Sequence, residues 1–131
     1  MTRLAEFVLQ SSEMRSSLSL AWRDADRALA TVRSDGLQAE ADVYLPDGSH
    51  ALAEQLRSSA NAWRGWPGEM EWHSLEGELS VVWSHDGLGH VSFAVTLRRL
   101  RTDWATTAVI TVEAGQLDRI ATQAQNFLIP S

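Results

Sequence analysis

The sequence predicts an α+β fold, a mainly antiparallel sheet of about seven strands with two amphipathic helices in the order ββββ-α-βββ-α. Three observations predict it. Apolar and polar residues alternate over most of the chain, as in strands with one wet face. The period turns helical twice, after Pro46 and after Glu113. The links between strands are hairpin-length turns rich in Asp and Gly, too short for parallel crossovers. At 131 residues the chain suits one domain, residues 1–131.

The first strand is expected from Leu4 to Leu9. In the second, Leu18, Leu20 and Trp22 share one face, opposite Ser17, Ser19 and Ala21. "RDAD" is a turn, because its aspartates can bond their own backbone. "RALATVR" is expected to place Leu29 and Val32 inward before Asp35-Gly36 turns the chain again. "LQAEADVYL" then sets Leu37, Ala39, Ala41 and Val43 against Gln38, Glu40, Asp42 and Tyr44. These four strands read as a meander.

Leu52, Leu56, Ala60 and Trp63 recur at helical spacing, with Asp47 or Ser49 available as N-cap. Gly65, Pro67 and Gly68 stop that helix. Strand alternation returns with Leu79, Val81 and Trp83. "SHDGLGH" makes a hairpin, and Val91, Phe93, Val95 and Leu97 answer from its other arm. "RTD" turns into a strand from Trp104 to Val112. A closing helix carries Leu117, Ile120, Ala121, Ala124, Phe127 and Leu128 on one stripe.

Composition narrows the function classes. An apolar fraction of 44% with 21% charged residues is that of a globular protein. No apolar run approaches the ~20 residues of a membrane helix, and the N-terminus lacks the pattern of a signal peptide. No membrane partner is expected, and a cytoplasmic location is. There is no cysteine, so disulfides and thiolate metal sites are excluded. Net charge is −6, with no basic run beyond Arg98-Arg99 and Arg101, which disfavours nucleic acid and suits a basic protein partner. No nucleophile elbow or phosphate loop is present, and no cofactor or catalytic residue is expected.

The densest chemistry lies in "AWRGWPGEMEWHSLEG", where Trp63, Trp66 and Trp72 fall within ten positions. The leading reading is closure of the core, with Trp63 packed onto the sheet and Trp66 folded back over the helix end, doubling as a contact. The alternative is a stacking platform read by Arg64, Glu69 and Glu71. Glu69, Glu71 and His73 stand at i, i+2 and i+4 and project from one face if the segment is extended. Such a trio can hold a divalent metal or do acid–base work, but a solvated strand face is the expected outcome. His85 and His90 flank the hairpin, and two ligands do not make a zinc site. A protein-binding surface is therefore expected at Arg64, Trp66, Glu69, Glu71 and His73.

The phrases "WRGWPGEMEWHSLEGELSVVWSHDGLGHVSFAVTLRR" and "WATTAVITVEAGQLDRIA" resemble an actinobacterial family, domain of unknown function 6228, over about residues 50–128. Trp63, Gly65, Trp66, Gly68, Trp72, Leu75, Glu76, Gly77, Leu79, His85, Gly87, His90 and Val91 carry that resemblance. More distantly, the chain resembles the WapI-type immunity proteins of polymorphic-toxin systems in length and element order. What the resemblance implies is a non-enzymatic binding domain, without cofactor, whose partner is a protein toxin or other basic protein. The alternatives are a homo-oligomeric structural or regulatory module and, behind it, a metal-dependent enzyme using Glu69, Glu71 and His73.

Overall fold

Strand parity and register set which side chains meet in this chain. A computed structural model describes residues 3–101 and 104–130, with only the backbone described at residues 47 and 48. The described elements are β1 (Glu6–Gln10), β2 (Ser17–Trp22), β3 (Arg27–Ser34), β4 (Leu37–Tyr44), α1 (His50–Asn61), β5 (Glu69–His73), β6 (Leu79–His85), β7 (His90–Arg98), β8 (Ala105–Glu113) and α2 (Leu117–Leu128). Single 3-10 turns at Pro46–Ser49 and Ala114–Gln116 lead into the two helices.

The α+β class and the antiparallel pairing hold. The strand count does not: the described strands are eight, in two four-stranded sheets ordered β1-β2-β3-β4 and β5-β6-β7-β8. The extra strand is β5, which pairs with β6 from Glu69↔Ser84 to His73↔Ser80. The Ser74–Glu78 turn separates the two, with Gly77 N–H bonded to Ser74 O at 3.0 Å. That turn makes a hairpin ahead of the strand that alternation marks from Leu79.

In the first sheet Phe7, Leu20, Ala30 and Ala41 form one inward row across all four strands. Val32 is buried, so parity turns Ala28 and Ala30 inward and Leu29 out, against the expectation for Leu29. Leu4 is likewise outside β1 and exposed. In the second sheet the matching inward row is Met70, Trp83, Phe93 and Ile110. Both inner faces and the stripes of both helices share one apolar cluster. A void of only about 20 Å³ remains where Leu20, Leu52, Trp83 and Ile120 converge. Each large side chain sealed there stabilises the fold by roughly 1.5–3 kcal/mol.

All six residues expected on the α2 stripe are buried. The α1 stripe is Leu52, Ala53, Leu56 and Ala60 and ends there, because the helix ends at Asn61. Trp63 therefore lies beyond the helix and not on its stripe. Ser49 occupies the N-cap of α1 in a left-handed conformation (φ 53°) and makes no side-chain cap bond. The side chain of Asp47, the other candidate cap, and the Thr102-Asp103 part of the "RTD" turn lie outside the described residues. The "RDAD" turn forms as expected, with Asp24 Oδ1 accepting Asp26 N–H at 3.1 Å and Arg27 N–H at 2.9 Å.

Polar ties fix the layers. Trp83 Nε1–H donates to Ser59 Oγ of α1 at 2.9 Å, and that hydroxyl donates on to Gln55 O. The buried Glu78 carboxylate accepts Tyr44 N–H at the end of β4 (2.9 Å) and the Ser74 hydroxyl (2.7 Å), joining the first sheet to the β5–β6 turn. Trp22 stacks on Phe127 of α2 at 4.8 Å and donates to its carbonyl at 3.0 Å.

Candidate functional site

The clearest concavity lies at one end of the second sheet, where three connections converge. The α1–β5 loop contributes Trp63 and Arg64, the β6–β7 hairpin contributes His85, Leu88, Gly89 and His90, and the β8–α2 junction contributes Glu113, Ala114 and Gly115. Together they line an open cleft of about 530 Å³. Gly89 and Gly115 leave open space in it: a Cβ added at either would meet nothing within 4 Å.

Trp63 is the surprise of the tryptophan cluster. The other five indoles are buried or packed against the apolar cluster, and Trp63 is 49% exposed. The Arg64 guanidinium sits 5.1 Å from its ring centroid, an exposed cation–π pair. Across the cleft Leu88 is 83% exposed at the hairpin tip. Trp66, expected to double as a contact, is partly buried and meets the His85 ring edge to face at 5.3 Å. Trp72 points inward from β5 opposite Val81. The signal that would have placed Trp63 outside is Asn61, a residue type that often ends helices.

The hairpin tip is held by its own side chains. Asp86 Oδ1 accepts Leu88 N–H at 2.6 Å and His90 N–H at 3.0 Å, and Oδ2 meets His90 Nδ1 at 3.2 Å. The His90 and Leu88 amides, in that order, hold the Asp86 carboxyl below its ordinary pKa, with the nearby His90 ring adding to them. The Asp26 and Arg27 amides do the same for Asp24. A depressed folded pKa means that these turns contribute stability above the unfolded aspartate value and lose it as the pH falls through the folded one. A ¹³C carboxyl titration should therefore place Asp24 and Asp86 below ordinary aspartates. Either one titrating at the ordinary value would contradict the turn geometry.

The expected trio does share a face. Glu69, Glu71 and His73 are exposed along β5, with Met70 and Trp72 turned inward. His73 Nδ1 bonds Ser74 O at 2.9 Å. Among the described residues no group of three or more His, Asp or Glu side chains is arranged to hold a metal ion. The face beyond them is unusual in its chemistry. Straight across from Glu71 run Val82, Ala94 and Val109, and the flanking rows are Ser84, Ser92, Thr111 and Ser80, Thr96, Thr107. Thr96 and Thr107 share a hydrogen bond at 2.8 Å, as do Ser92 and Thr111 at 3.1 Å. No charge interrupts these rows between β5 and the far edge, where Val109 is 57% exposed. His90 and Glu113, paired at the top of this face, also line the cleft.

The model of a family of unknown function, DUF6228, matches residues 9–131. The chain belongs to that family. The match reaches well into the first sheet, further than the second-half phrases suggest. No curated protein and no solved structure matches the chain. In this DUF6228 chain no helix among the described residues is long and apolar enough to cross a membrane.

Proposed function

We propose that this DUF6228 chain is a small, non-enzymatic protein-binding domain that docks its partner on the end and outer face of the second sheet. The exposed Trp63–Arg64 pair carries the reading. Trp and Arg dominate the energetics of protein interfaces, and a fold that packs five indoles against its core leaves this one on the rim of a cleft. Leu88 supplies the opposite wall, and the neutral Ser/Thr/Val rows supply a flat surface that a partner can cover without stripping water from charges.

Glu69 and Glu71 border that surface, and the net charge is −6, so a basic partner fits. The likeness to WapI-type immunity proteins in element order supports a toxin domain as that partner, although the chain has one strand more than the order on which the likeness rests. In this reading Trp63 takes the anchoring place first expected of Trp66, while Arg64, Glu69, Glu71 and His73 keep theirs.

The test is capture from the native host followed by light scattering on the purified complex. The expected result is one basic protein in stoichiometric amount, with an association rate that falls as salt rises. Recovery of the chain alone, or only with copies of itself, would favour the homo-oligomeric alternative and sink this one.

A further inference from the structure

We infer that His85 is a protonation-sensitive latch that holds the Trp63 loop against the β6–β7 hairpin. The inference concerns regulation of the surface proposed above and rests on that reading only for its biological use. Both ring nitrogens of His85 are engaged. Nδ1 faces Gly87 N–H at 2.8 Å, and Nε2 faces Trp63 O at 2.8 Å. A backbone N–H can only donate and a backbone carbonyl can only accept, so the roles follow: Nδ1 carries the lone pair and Nε2 carries the proton. This is the neutral imidazole in one tautomer.

A proton taken from solvent can enter the ring only at Nδ1. There it meets the Gly87 N–H head-on, and that bond is lost. The Trp63 bond is kept, and the charged ring donates it more strongly, while the ring lets go of the hairpin tip at Gly87. Beyond the packing of Trp66 against the core and the His85 ring, the loop has few ties. Among the described residues, its hydrogen bond to the rest of the fold is the one to His85. Ala62 N–H and Gly65 N–H close locally, and the buried Trp66 indole N–H makes none. Gly65 adopts φ 139°, a conformation that disfavours a side chain, beneath the same ring.

The charged groups that face the ring come from three elements. Arg64 on the α1–β5 loop opposes a second positive charge in the cleft. Glu113 at the β8–α2 junction favours one, but its side chain already accepts the Gln116 amide in a capping box. On the hairpin itself, Asp86 is committed to His90 and to the Leu88 and His90 amides. His90 therefore responds in the opposite sense: its protonation strengthens the grip of Asp86 on the turn. The acid form keeps one side of the turn and frees the other. A partner that needs the ordered hairpin tip beside Trp63 must then bind more weakly as His85 is protonated.

The experiment is a pH titration of the free, ¹⁵N-labelled protein, following the imidazole nitrogens, the Gly87 amide and the Trp63 indole N–H. At high pH His85 should show the Nε2–H tautomer. As it protonates, Gly87 should lose about three- to tenfold of its exchange protection, and the Trp63 indole signal should move with the same midpoint. In His85→Gln the Trp63 signal should stay flat with pH, while His90→Gln should keep the transition. An Nδ1–H tautomer, or Gly87 and Trp63 signals that ignore His85 or follow His90, would overturn the latch. No partner enters this titration, so its outcome is independent of whether Trp63 is a contact.

Discussion

Trp83→Ala should lower unfolding free energy by about 3–5 kcal/mol, read as a fall in the denaturation midpoint at an unchanged slope. The indole is fully buried (0% exposed) at the centre of β6, stacked on Phe93 at 5.7 Å. It lies where both sheets and both helices meet, and the surrounding void is too small to show slack that could collapse into the space left behind. Deletion also removes the donor that Ser59 Oγ accepts, but that hydroxyl keeps its bond to Gln55 O. The cavity term therefore dominates. Trp83→Phe keeps most of the ring volume and should lose roughly half as much. Against a total of roughly 7–20 kcal/mol for a chain of this size, the alanine variant remains folded but close to its limit. A loss below about 1 kcal/mol would mean that the sheets do not share a core.

Glu78→Ala should remove about 2–3 kcal/mol, and Glu78→Gln about 1 kcal/mol. The carboxylate is 4% exposed, and two opposing effects meet there. Removing it relieves the desolvation of a buried acid, which by itself favours the variant. It also leaves Tyr44 N–H and the Ser74 hydroxyl without their acceptor, at about 1–3 kcal/mol for each buried group left unpaired. The second effect wins because the Tyr44 amide is at the end of a strand and cannot turn to another partner. Glutamine retains an acceptor for Tyr44 and lets the Ser74 hydroxyl rotate to receive its amide, hence the smaller loss. An alanine variant as stable as the parent would show that the tie between β4 and the β5–β6 turn carries no weight.

Periodicity alone was enough for the class, the four-strand meander and the α2 stripe, since each follows from alternation that tertiary packing did not override. Three failures have separate physical causes. Alternation hides β5 because only Met70 and Trp72 mark its inward face, and the five-residue Ser74–Glu78 turn reverses the parity before Leu79. Leu29 is the more hydrophobic residue, but parity with Val32 turns it outward and gives its place in the core to the smaller Ala28 and Ala30. The helical period that points Trp63 inward runs past Asn61, where the helix stops.

The site was readable only in pieces. Glu69, Glu71 and His73 do share an exposed face, as their spacing requires. The cleft was not readable, because Trp63, Leu88 and Glu113 are brought together by three connections far apart in the chain. Nor was the unbroken neutral surface beside it, which appears only once the β5–β8 registers align its rows.

The central claim is that Trp63 faces a partner and Trp66 faces the core. Its most direct test is to measure, in parallel, the stability and the partner capture of Trp63→Ala and Trp66→Ala. Trp63→Ala should unfold within about 0.5 kcal/mol of the parent and lose partner affinity by about tenfold or more. Trp66→Ala should instead lose about 1–3 kcal/mol of stability. A Trp63→Ala protein that is destabilised yet still captures its partner at full affinity would contradict the account.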